Sequence, residues 1–112
     1  MSSLRQIFDE ESLALVQREI ERLRAGLTFE KARELPQAEG RDVVVAGREV
    51  QLTIFRQTDA GIAGRGVLVT VQVARFGLGG TNTYRVERGL VFSPGVPARN
   101  ATQEELVASS GS

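Results

Sequence analysis

The chain has no cysteine, no histidine and no tryptophan, and only one tyrosine and one methionine among its 112 residues. Without cysteine there is no thiolate nucleophile, no disulfide and no thiolate ligand for zinc. Without histidine there is no side chain whose ordinary pKa lies near neutrality, and no imidazole for a transition metal. A carboxylate-only Mg²⁺ or Ca²⁺ site needs clustered oxygens, and no loop has the spacing for one. The expectation is therefore no metal, no cofactor and, on balance, no enzyme.

An excess of charge of either sign is also missing. Fourteen Lys and Arg balance fourteen Asp and Glu, so no global field draws the chain to nucleic acid or an anionic membrane. Apolar runs are short of the roughly 20 residues that span a bilayer, and the first residues lack the apolar core of a signal peptide. A cytoplasmic location is the default expectation. Lys31 is the only lysine against thirteen arginines, a bias that reads as a GC-rich genome before it reads as a carboxylate- or phosphate-binding device.

Leu13, Val16, Ile20, Leu23 and Leu27 are spaced three, four, three and four apart, the repeat of one helical face. Asp9 is the expected N-cap, Phe8 the staple against Leu13, and Gly26 a left-handed stop; Leu4, Ile7 and Phe8, apolar at near-helical spacing, leave an earlier turn over residues 2–8 as an alternative. Glu19–Arg22 and Glu21–Arg24 are spaced to pair across one turn. Thr28 reads as a fresh N-cap for a short helix ended by Pro36, and 36–41 as a polar connector.

From Asp42 the period changes to two. Residues 43–45, Ala46-Gly47 and 48–57 predict a hairpin, with Val50, Leu52 and Ile54 on one face and Glu49, Gln51 and Thr53 on the other. Beyond a glycine-rich loop at 58–66, Val67, Val69, Val71 and Val73 alternate with Leu68, Thr70, Gln72 and Ala74. Residues 76–82 predict a second glycine-rich connection, into a strand at 83–87. Residues 90–92 either continue that strand through a bulge or fold back. Ser93 to Pro97 predicts the end of regular structure. Thr102-Gln103-Glu104-Glu105 fits a capping box for a short tail helix, with 109–112 disordered.

An antiparallel meander with one apolar face needs a cover, and the long helix carries the stripe to provide it. The predicted fold is an α+β two-layer sandwich: an N-terminal amphipathic helix and a short second helix on one face of a three- to five-stranded antiparallel meander. The domain is expected over residues 1–97, with 98–112 as a tail. The helix-then-meander order resembles cystatin-like and other curved-sheet folds in architecture, and no motif accompanies that likeness.

The chemistry-bearing residues are sparse, so the surface carries the functional expectation. Phe55, Leu68, Thr70, Gln72, Arg75, Arg85 and Glu87 are assigned to the sheet face away from the helix, a mixture of apolar and charged groups suited to a protein partner or a second copy of the chain. Gly79, Gly80, Thr81 and Asn82 form a candidate contact loop. They lead towards a strand, whereas phosphate-cradling loops lead into a helix. The leading expectation is a small non-enzymatic protein acting through contacts, by self-association or docking, as assembly and toxin-neutralising proteins do. The alternative is a ligand-binding or enzymatic pocket between helix and sheet with Tyr84, Arg85 and Glu49 as polar groups. A helix-turn-helix over residues 9–35 ranks third, because Lys31 and Arg33 are offset by Glu30 and Glu34.

Overall fold

The computed structural model describes residues 3–58, 66–76 and 82–110. Its elements run α1 Leu4–Gly26, α2 Phe29–Arg33, β1 Ala38–Val45, β2 Arg48–Gln57, β3 Val67–Phe76, β4 Asn82–Ser93, β5 Val96–Asn100 and α3 Gln103–Ser110. The five strands pair antiparallel in chain order, β1-β2-β3-β4-β5. With α1 and α2 on one face, this is the α+β arrangement that the periodicity predicts. No described helix is long and apolar enough to cross a membrane.

The long helix includes the earlier turn that Leu4, Ile7 and Phe8 allow, beginning at Leu4 and not after Asp9. The Gln6 N–H donates to Ser3 Oγ at 3.1 Å, making Ser3 the cap in place of Asp9. The extra turns bring Phe8 into the core, where its ring meets Tyr84 edge-on at 4.7 Å between centroids and lies under the Arg48 guanidinium. The buried stripe is Phe8, Ser12, Val16, Glu19, Ile20 and Leu23, with Leu13 only half-buried. At the other end Gly26 is not left-handed. The Leu27 N–H closes the last turn on Leu23 O at 2.9 Å from an extended conformation.

Thr28 caps α2 as predicted, accepting from the Lys31 N–H at 3.2 Å, and Ala32 is fully buried. The segment assigned as a connector is already strand from Ala38 onward. Ala46 at φ 50° and Gly47 at φ 77° make the two-residue turn between β1 and β2, the doubly left-handed geometry that matches strand twist.

In β3 both faces are buried. Val67, Val69, Val71 and Val73 pack on the helices, while Leu68, Thr70 and Ala74 are covered on the other side. Residues 90–92 continue β4 without folding back, and Gly95 at φ 75° turns the chain into β5. The boundary drawn at residue 97 thus falls inside a strand. Beyond it, α3 returns over the second face. Leu68, Val91 and Ala101 form a small separate cluster there, with Leu106 set over Gly89. The helix is held at its start by Thr102 and Glu105, each N–H donating to the other's side chain at 2.9 and 3.2 Å. Arg99 of β5 grips the same carboxylate through two bonds of 2.8 Å.

Candidate functional site

Strand register fixes which side chains share the face opposite α1. Three rows cross the sheet: Ala38, Phe55, Thr70 and Gly89; Gly40, Thr53, Gln72 and Glu87; Asp42, Gln51, Ala74 and Arg85. At the end covered by α3 this face is closed. Away from it lies an open groove of about 390 Å³, lined by Gln37, Phe55, Arg56, Gln57, Thr70, Gln72, Arg85 and Glu87.

The groove has an apolar wall and a polar floor. Phe55, 37% exposed, stands on one side. Gln72 Nε2 donates to Glu87 Oε2 at 3.3 Å, and Arg85 Nη2 lies 4.0 Å from Glu87 Oε1. Glu87 is therefore held between an amide and a guanidinium, and the exposed Arg85 is left to face an incoming group, while Thr70 is buried at the base of the groove. The arrangement offers donors and acceptors around an aromatic ring. Among its described lining residues no hydroxyl is hydrogen-bonded to a base, the pairing that activates a nucleophile.

Of the seven residues assigned to this surface, Phe55, Thr70, Gln72, Arg85 and Glu87 come together. Leu68 does not join them, because it is completely buried beneath α3. Arg75 falls in register with Tyr84 beside a bulge, on the helix side. Gly79, Gly80 and Thr81 lie outside the described residues, and Asn82 is the first residue of β4. Gln57 follows Phe55 at the strand period and was legible in that period. Gln37 and Arg56 reach the rim through the β1–β2 ladder, where the Arg56 N–H donates to Gln37 O at 3.0 Å.

The helix side presents a different picture. Between α1 and the sheet, Phe8, Val16, Ile20 and Leu23 pack against the valines of β3 and Leu90. Tyr84, Arg85 and Glu49 are not gathered there: Tyr84 meets Phe8 on the helix side, whereas Arg85 lies in the groove on the reverse face. Burial pushes the Tyr84 phenol above its ordinary value. Ser12 beside it pulls the other way, and the Asp9 carboxylate adds to the rise. Near β1, Glu19 accepts from Arg22 at 2.6 Å and lies 3.7 Å from Arg41, and these cations hold its carboxyl below the usual range against the cost of burial. The 9–35 region does contain two helices. The second has five residues, with Ala32 buried and Arg33 stacked over Phe29 at 5.6 Å.

Compared with protein-family models, with curated proteins and with solved structures, the chain matches none.

Proposed function

We propose that this chain is a non-enzymatic contact module, and that a segment of another polypeptide seats an apolar side chain in the groove against Phe55 while its polar groups meet Gln72, Arg85 and Glu87. The observation that carries the reading is the pairing of a half-exposed aromatic wall with a polar floor on the one face that α1 leaves free. Protein interfaces combine such an aromatic anchor with surrounding polar groups. Capture from an extract of the source cells tests it, using the native chain, Phe55→Leu and Phe55→Asp. A species retained by the first two and lost with the third is expected. Identical sets on all three, or none on any, would overturn the reading.

The volume of the groove also lies in the range of small-molecule sites, about 300–1,000 Å³. A metabolite that raises the Tm of the native chain but not of Phe55→Asp would move the groove from protein to small ligand.

A further inference from the structure

The strand β1 forms one edge of the sheet, and Ala38 through Asp42 are all exposed. A two-residue hairpin makes the residues flanking its turn a hydrogen-bonded pair, so odd-numbered residues of β1 bond to β2. The bond from the Arg56 N–H to Gln37 O continues that phase. Ala38, Gly40, Asp42 and Val44 therefore turn their N–H and C=O groups outward, along an edge that no other described strand pairs.

We propose that this edge pairs antiparallel with β1 of a second copy of the chain, about a two-fold axis at Gly40. Antiparallel pairing about such an axis sets residue i opposite residue j with a constant sum, and both side chains lie on the same face. Centring on Arg41 or Asp42 would pair more of the strand but sets each charge against its own copy. Centring on Glu39 does the same. Gly40 has no side chain to oppose itself, and centring there sets Glu39 against Arg41 of the second copy, twice by symmetry. Those two residues fall at a non-hydrogen-bonded position, where side chains approach most closely. Gly40 and the two Ala38–Asp42 pairs supply about six backbone bonds, two for each hydrogen-bonded pair. Arg41 is already steadied from its own chain by Glu19, 3.7 Å away. Val44, 68% exposed at the end of the same edge, comes opposite Pro36 of the second copy.

The inference shares with the proposed function only the premise that the chain works through contacts. It uses a different surface, read from the mass of the purified chain and not from capture of a partner, so either can fail without the other. Sedimentation or light scattering over a concentration series reaching about 1 mM should move the mass from one chain towards two. Glu39→Arg makes both facing positions positive and should weaken the dimer at least about tenfold, since two attractive pairs become repulsive. Arg41→Glu makes both negative. Mixing the two variants should restore pairing between unlike chains, and the doubly reversed chain should pair with itself. Should Arg41→Glu disturb folding through Glu19, Ala38→Pro removes one outward N–H at the first residue of the strand, where proline is tolerated, and should also lower the mass. A chain that stays monomeric throughout overturns the inference. So does a dimer that Glu39→Arg and Ala38→Pro leave unchanged.

Discussion

Leu106 rests on the backbone of Gly89: a Cβ built at that glycine would lie 2.9 Å from Leu106 Cδ2, 3.1 Å from Ala101 Cβ and 3.2 Å from Leu68 Cδ1. Gly89 is not left-handed, so its role is close approach and not backbone freedom. Gly89→Ala is expected to destabilise by about 1–3 kcal/mol, as overpacking does, and to loosen α3 first. Faster hydrogen exchange confined to residues after 100, with β2 and β3 still protected, would be the signature. Leu106→Ala in the same chain makes room for the new methyl, so the double variant should lose less than the two single losses added.

The grip of Arg99 and Thr102 on Glu105 predicts an acid dependence. The Glu105 carboxyl is held down to about 2 from an ordinary 4.5 by Arg99 and by the Thr102 N–H. A folded-state value below the unfolded one means stability fully present above about pH 4.5 and lost as pH falls towards 2. Arg99 is 47% exposed, so solvent screening limits the effect to about 1 kcal/mol. Glu19 is shifted in the same direction. Urea unfolding at pH 7 and pH 3 should therefore show a smaller pH difference in Glu105→Gln than in the native chain, not none.

Tyr84 gives the alkaline counterpart. Its phenol is raised above 10.0 mainly by burial, so the folded state favours the neutral form. The associated stability is present below about pH 10 and is lost as pH rises through the folded value. Because the chain has one tyrosine and no tryptophan, phenolate absorbance reports this group alone. The native chain should titrate above the value it shows in urea, and Tyr84→Phe should flatten the alkaline slope of stability.

Phe8 and Leu13 exchange the roles that spacing assigns them. Phe8 is 3% exposed and in the core, whereas Leu13 is half-buried. Phe8→Ala should cost about 3–5 kcal/mol. Leu13→Ala should cost about 1 kcal/mol or less, near the range of surface substitutions. Equal losses in thermal or urea unfolding would contradict the seating of α1.

These two residues also show what local patterning can and cannot convey. A stripe at three-four spacing fixes that a helix forms and roughly which arc is buried. The rotation of that arc is set by what it lies on, here Tyr84 and the β3 valines, and their position depends on the whole sheet. Alternation in β2, β3 and β4 assigned the two faces, and five of seven surface residues met in one groove for that reason. Leu68 escaped because the helix that buries it comes nearly forty residues later in the chain. The capping box at Thr102 was visible, but its docking depends on Gly89, which read only as a break in a strand. Arg75 was misplaced although alternation continues unbroken from Val71 and Val73 to Arg75, in register with Tyr84, and puts it on the helix side. Gly26 illustrates a further limit, since a helix can end on an extended leucine without needing the conformation that glycine permits.

A meander joins each strand to the one made just before it, so no strand has to find a distant mate. Loop closure then comes in small steps, and hairpins can add one after another with little entropic cost at each. The two helices ahead of the sheet are the exception. Both α1 and α2 pack on β3 and β4, more than thirty residues downstream. Their docking is thus the long-range step in an otherwise local topology.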